Sequence, residues 1–336
     1  MKSLIQKLVE TPGPSGYEAQ VRALVRAEIE PLADGVRVDN LGNLIVRKGQ
    51  KGPDGLRIML AAHIDEIGLI VTHIDERGFA RLLPVGGVRP ATCPGNRVRF
   101  LNGAAGVIGI ERLSDPNKVP AFDQLFIDLG VSSRNECPVR VGDIAVFERP
   151  YQELGQRLVA KALDDRIGVA VLVETLRQLN ALESPGPHEV LFVFSVQEEV
   201  GVRGATTAAY GIDPDLGLAV DITGTGDTPK SPNMEVSLGK GPAIKVRDQG
   251  MLADPRLVRW LVQTAEKAGL TYQMEILEYG GSDARAIQLT RAGVPAGCIS
   301  IPGRYIHTPS EMVDYSDAQN AVRLLVEFLR QPVSLE

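Results

Sequence analysis

The chain has 336 residues, 44% hydrophobic and 23% charged, a length for one large domain or two ordinary ones and a composition that excludes a disordered or fibrous protein. Aromatics make up 5% with a single Trp, which argues against a stacking platform for sugars or single-stranded nucleic acid. A net charge of −6 argues against holding polyphosphate by bulk charge.

In chain order, the first predicted element is a helix from about Ser15. Ser15 and Glu18 have capping-box spacing, and Val21, Leu24, Val25, Ile29 and Leu32 form one apolar stripe. Asp34-Gly35 ends it, and a hairpin follows, Val36–Asp39 and Leu44–Arg47, around Asn40-Leu41-Gly42-Asn43. Residues 57–62 read as a buried strand running into His63. From about Gly68 to Glu148 the segments become short and β-like: Gly68–Ile74, Phe79–Leu83, Arg97–Leu101, Gly106–Glu111 and Asp143–Phe147. This predicts an all-β module of about ninety residues.

After Ala160 helices and strands alternate. A helix at about Arg166–Leu182 leads to a strand Glu189–Val196, a helix Arg203–Tyr210 and a strand Leu216–Asp221. Then come a strand Ala243–Val246, a helix Pro255–Ala268, a strand Thr271–Leu277, a helix Asp283–Arg291, a strand Pro295–Ser300 and a last helix Ser316–Leu329. Alternation with apolar strands predicts an α/β fold, a mainly parallel sheet flanked by helices. The strand before His63 has the same texture. The expected organisation is therefore an α/β domain from residues 1–66 and 160–336, with residues 67–159 inserted as a β-barrel-like domain.

Cys93, Cys137 and Cys298 are widely spaced, odd in number and form no CxxC, so neither a disulfide framework nor a cysteine zinc site is expected. The opening Met1–Lys7 carries no apolar run of signal-peptide length, and the longest apolar stretches are strand-sized. A cytoplasmic protein is expected, with neither nucleic acid nor a membrane as partner.

Open α/β sheets bind ligands beyond the carboxyl ends of their strands. Those ends carry His63-Ile64-Asp65-Glu66, Gln197-Glu198-Glu199, Asp221 and Arg304-Tyr305-Ile306-His307, and Asp164-Asp165 opens a helix nearby. Singly, each has an ordinary explanation: an Asp capping a helix, a solvated acidic loop, a histidine satisfied in the core. Together, carboxylates crowded at one rim repel unless a cation sits among them, and a mixed His and carboxylate set suits Zn, Co or Mn. Asp65 lies two residues from His63, on the same side of an extended segment, where it can support that imidazole. Of the neighbours Glu198 and Glu199, one can bind metal while the other acts as general base.

Six runs, taken in order, resemble one known family: Ala61-Ala62-His63-Ile64-Asp65-Glu66, Lys161-Ala162-Leu163-Asp164-Asp165-Arg166, Val196-Gln197-Glu198-Glu199-Val200-Gly201, Ala219-Val220-Asp221, Gly280-Gly281-Ser282-Asp283-Ala284 and Arg304-Tyr305-Ile306-His307. The family is the tetrahedral, co-catalytic metallo-aminopeptidases, which includes deblocking, glutamyl and leucyl-type enzymes and some members labelled endoglucanase. The resemblance spans essentially the whole chain. It implies a zinc-exopeptidase-like fold whose inserted β-domain serves dimerisation and higher assembly. It also implies two divalent metal ions per chain, zinc first, with cobalt or manganese as alternatives. His63 and Asp221 would bind one ion and Glu199 and His307 the other, with Asp164 bridging, Glu198 as general base and Asp65 orienting His63. The implied substrates are short peptides with a free amino terminus. The implied assembly is a tetrahedral homo-dodecamer built from dimers.

Other readings stay beside it. A metal-dependent carboxypeptidase or amide deacylase would need a basic clamp, for which Arg166 and Arg304 are the candidates. A glycosidase would need two carboxylates across a sugar site, for which the neighbours Glu198 and Glu199 are poorly suited. A non-catalytic peptide-binding scaffold would use the β-module. Gly280-Gly281-Ser282-Asp283 reads equally as a close-approach loop or a plain helix entry. Gly224-Thr225-Gly226 lacks the third glycine and the helix of a dinucleotide site. His73 and His188 read as surface residues.

Overall fold

The computed structural model describes residues 1–115, 117–183 and 186–333. Helix α1 (Lys2–Glu10) buries Leu4, Ile5, Leu8 and Val9 along one side. Its two turns were too short to stand out as a pattern in the sequence. In α2 (Ala19–Ile29), Val21, Val25 and Ile29 repeat every four residues and are buried. The capping box expected at its start does not form: Glu18 is the N-cap without a side-chain cap bond, and the Ser15 hydroxyl is bonded to Asp65 instead.

The hairpin β1 (Gly35–Val38) and β2 (Leu44–Lys48) forms the margin of an eleven-stranded sheet whose centre holds β3 (Arg57–His63). Six further strands form a separate closed barrel: β4 (Gly68–Ile74), β5 (Ala80–Val85), β6 (Arg97–Phe100), β7 (Ala105–Ile110), β8 (Leu125–Asp128) and β9 (Ile144–Phe147). The barrel order is β4-β5-β8-β7-β6-β9, with β9 returning to β4, so closure leaves no free edge. Leu69, Leu82, Val98, Phe100, Ile127 and Phe147 are among the side chains that fill it. Strand β8 was not among the predicted strands. The next two strands, β10 (Gln152–Leu154) and β11 (Arg157–Ala160), return to the large sheet although they lie mostly within residues 67–159.

The rest of the chain supplies α3 (Leu163–Asn180), β12 (Glu189–Ser195), α4 (Arg203–Ile212), β13 (Leu216–Thr223), β14 (Ala243–Arg247), α5 (Pro255–Lys267), β15 (Gln273–Ile276), α6 (Ala284–Gln288), β16 (Ala296–Arg304), β17 (Glu311–Asp314) and α7 (Tyr315–Leu329). The main path runs β1-β2-β12-β3-β13-β16-β17-β11-β10, with β14 also on β16 and β15 on β14. The sheet is parallel at its centre, β12-β3-β13-β16, and antiparallel at both margins. Central strands are buried on both faces, which is why they read as continuous apolar runs.

Alternate residues of these strands enter two cores. Ile58, Leu60, Phe192 and Phe194 pack with residues of α1, α2, α3 and α7, whereas Met59, Ala61, Leu191 and Val193 pack with α4 and α6. Each of these side chains except that of Ala61 contributes about 1.5–3 kcal/mol on burial. The sandwich fixes the strand ends, and those ends carry the site. No described helix is long and apolar enough to cross a membrane.

Candidate active site

His63 is the last residue of β3 and is 2% exposed. Its Nδ1 lies 3.2 Å from the peptide oxygen of Asp65. A proton held there leaves the Nε2 lone pair free, and Nε2 stands 3.0 Å from Asp164 Oδ1 and 3.9 Å from Asp221 Oδ1. Asp221 reaches this point from β13. His307 follows β16 with a left-handed backbone, φ 61°. Its Nε2 lies 3.4 Å from Asp164 Oδ2 and 3.2 Å from Glu199 Oε2. Asp164 therefore turns one oxygen toward each imidazole.

Ligand atoms of His63, Asp164 and Glu199 lie within 4.8 Å of one another, as do those of His63, Asp165 and Asp221. The two neighbouring aspartates differ in their contacts. Asp165 Oδ1 accepts the Gly168 N–H at 3.0 Å, the helix-capping role, whereas both oxygens of Asp164 face histidines. His63, Asp164, Glu199, Asp221 and His307 are thus brought to one place, with Asp165 beside them.

The charge distribution suits cations. Burial opposes protonation of His307, yet Asp164 and Glu199 outweigh it and push the imidazole up to about 11. Burial likewise opposes protonation of His63, and Asp164 and Asp65 again carry it well above its ordinary value. Burial pushes Asp221 and Glu198 up, and neighbouring carboxylates add to this while His63 opposes it. The nearby buried lysines are engaged elsewhere, Lys161 with Glu66 at 2.6 Å and Lys245 with Glu275 at 2.6 Å. Imidazole nitrogens and carboxylate oxygens in a buried, cation-attracting cluster fit divalent zinc, cobalt or manganese.

Asp65 lies against His63 and also reaches beyond it. Its Oδ1 is 3.4 Å from His63 Nδ1, farther than its own peptide oxygen. The carboxylate chiefly holds the acidic loop: Oδ1 accepts the Glu198 N–H at 2.9 Å, and Oδ2 accepts the Glu199 N–H at 3.2 Å and the Ser15 hydroxyl at 2.6 Å. Burial works against its ionisation, but His63 and these donors hold it below the usual carboxylate range.

Glu311, Gly86 and Gly87 were missed in the sequence. Glu311 on β17 is 1% exposed, and its two oxygens accept the Asp164 N–H and the His307 N–H, each at 2.9 Å. An acid four residues after a candidate ligand histidine was the available signal. Gly86 and Gly87, following β5 of the barrel, press on the site: a Cβ on Gly87 would lie 2.3 Å from His307 Nδ1, and one on Gly86 3.1 Å from Glu199 Cβ. Asp283, at the start of α6, accepts the Ser195 hydroxyl. His188 corrects the surface expectation: it is 3% exposed, its Nδ1 accepts the Leu56 N–H at 3.0 Å, and its Nε2 lies 2.9 Å from the Gln331 oxygen. Cys93 and Cys298 are buried and all three cysteines are free.

The chain is similar to known proteins along nearly its whole length. The chain matches the family described as M42 glutamyl aminopeptidase over residues 42–324. It is similar to aminopeptidase APDkam598 from the archaeon Desulfurococcus kamchatkensis, with 42% identity, a TM-score of 0.93 and coverage of 98% of this chain and 94% of that one. It is 35% identical to a lysyl aminopeptidase of Pyrococcus furiosus over 98% of this chain and 96% of the relative. The Pyrococcus horikoshii TET1 peptidase, which can assemble into a tetrahedron or a large octahedral shell, shares 33% identity with a TM-score of 0.87, covering 98% of this chain and 99% of that one.

Proposed function

The chain belongs to the M42 glutamyl aminopeptidase family, and on that footing we propose that it removes single residues from the free amino terminus of short peptides, with Glu198 as general base. The observation that carries this reading is Asp164, which offers one carboxylate oxygen to each of two imidazoles. We assign His63 and Asp221 to one divalent metal ion, Glu199 and His307 to a second, and Asp164 to both. Zinc is the first choice, with cobalt or manganese as alternatives. When bound, such ions acidify water and polarise a carbonyl.

The protein's own groups do the rest. Glu198 accepts the proton of the attacking water and passes it to the leaving amine. Asp65 holds the loop that carries Glu198. The acidic rim attracts the substrate's α-ammonium group.

The carboxypeptidase reading loses both candidate clamps. Arg166 is fully buried and donates through Nη1 to the peptide oxygens of Leu8 at 2.6 Å and Thr11 at 3.0 Å. Arg304 is engaged by Asp227 through two bonds of 2.9 and 2.7 Å.

We further propose a cytoplasmic homo-dodecamer built from dimers, in which the barrel β4–β9, the strands of the inserted residues 67–159 that lie outside the large sheet, makes contacts between copies of the unit formed by residues 1–66 and 160–336. Twelve chains of 36.2 kDa give about 430 kDa, which light scattering on metal-replete protein checks; a monomer there overturns it.

One peptide in free, N-acetylated and C-amidated forms tests the activity. Mass spectrometry is expected to show stepwise loss from the amino end of the free and amidated forms, and slow or no cleavage of the acetylated one. Trimming from the carboxyl end, or dependence on a free carboxylate, overturns the assignment.

A further inference from the structure

In the loop that carries Glu198 the peptide oxygens of Val196, Gln197 and Glu198 accept from N–H groups between Gly201 and Gly204, whereas the N–H groups are held by side chains from elsewhere. Four consecutive peptide N–H groups donate outward: Val196 to Asn43 Oδ1 at 3.0 Å, Gln197 to Glu18 Oε1 at 3.2 Å, Glu198 to Asp65 Oδ1 at 2.9 Å and Glu199 to Asp65 Oδ2 at 3.2 Å. Gln197 sits in the left-handed region, φ 56°, which a residue with a Cβ keeps only where its surroundings over-determine it. Glu18 is the acceptor at that residue.

Glu18 is itself rigidly placed. It is 3% exposed, and the same Oε1 accepts the Gly16 N–H at 2.7 Å. The turn leading to it is laced to Glu66: the Ser15 N–H donates to the Glu66 peptide oxygen at 3.3 Å, the Glu66 N–H to Gly13 O at 3.1 Å, and the Gly13 N–H to Glu66 Oε1 at 3.0 Å. Further back, Arg166 of α3, two residues beyond Asp164, grips the peptide oxygens of Leu8 and Thr11. The N-terminal segment is therefore a strut between the helix that bears Asp164 and the loop that bears Glu198.

We propose that Glu18 is a positioning residue for the reaction: by holding the Gln197 peptide in its left-handed conformation, it aims Glu198 at the water it deprotonates. The proposal rests on Glu198 being the base. A charged acceptor binds a peptide N–H more strongly than a neutral one, and a displacement of about 1 Å at a reacting group costs up to about 100-fold in rate. Both N–H groups use Oε1 alone, so glutamine at this position retains the acceptor while alanine removes it.

The test measures kcat, KM and bound metal of the full chain on an aminoacyl fluorogenic substrate for Glu18→Ala, Glu18→Gln and Glu198→Gln. Glu18→Ala is expected to lower kcat about 10- to 100-fold with KM within about twofold and metal content unchanged, and Glu18→Gln to restore kcat to within about threefold of the parent. If Glu18→Ala does not fold, Glu18→Met, which fills similar volume without an acceptor, replaces it with the same expectation. A kcat for the acceptor-free variant within twofold of the parent overturns the proposal, and so does a glutamine variant as impaired as alanine. If Glu198→Gln is inactive while Glu18→Ala is normal, only the positioning role falls. If Glu198→Gln itself turns over normally, the assignment of the base falls first.

Discussion

Asp164 stands between two imidazoles, with Oδ1 3.0 Å from His63 Nε2 and Oδ2 3.4 Å from His307 Nε2. A carboxylate can serve two cations in this way, whereas an amide offers one oxygen. Asp164→Asn is expected to bind one metal equivalent or fewer, against two for the parent, and to lose activity. Elemental analysis after gel filtration checks this, and two tightly held equivalents in the variant would refute the bridging role.

Glu198→Gln separates proton transfer from metal binding. The amide cannot accept the water proton, so kcat should fall at least ~10²–10⁴-fold while metal content stays that of the parent. Near-normal kcat would show that another group is the base.

Glu311 ties the two ligand-bearing segments together through the backbone N–H groups of Asp164 and His307. Glu311→Gln turns an NH2 toward one of these donors and leaves it unsatisfied, at a cost of about 1–3 kcal/mol. Misplaced ligands should weaken metal binding about 10–100-fold. Thermal melts and competitive chelator titrations measure the two effects; a variant with parental metal affinity would reduce Glu311 to a packing role.

His307→Ala removes a proposed ligand and should lose metal together with activity. Gly87→Ala should mimic it in part, because the added methyl would stand 2.3 Å from His307 Nδ1 and the ring must move. The expected result is weaker metal binding with the barrel still folded, read by chelator titration and far-ultraviolet circular dichroism. Unchanged affinity would mean that the loop, not the ring, gives way.

Chelation distinguishes the metal reading from a glycosidase. Prolonged treatment with a strong chelator should abolish peptide cleavage, and added zinc, cobalt or manganese should restore it. Activity that survives complete metal removal contradicts the mechanism proposed here.

Local pattern alone made most of the catalytic sheet legible. A strand buried on both faces must be apolar throughout, so residues 57–62 and Glu189–Val196 announced themselves, and the polar residues at their ends marked the rim. Short elements did not: α1 spans nine residues, and β8 and β17 four each. Nor could spacing distinguish Asp164 from Asp165, since both carry the same group; the two differ only in where each carboxylate points once β3, β16 and α3 are packed. The contacts of Glu18 and Glu311 were illegible for a related reason. Glu18 reads in the sequence only as part of a local helix cap, and the distant partners lie far along the chain, 179 residues away for Glu18 and Gln197 and 147 for Glu311 and Asp164. A short-range signal exists only where the chain interacts with itself nearby. These contacts arise only when the sheet brings distant strand ends within hydrogen-bonding reach.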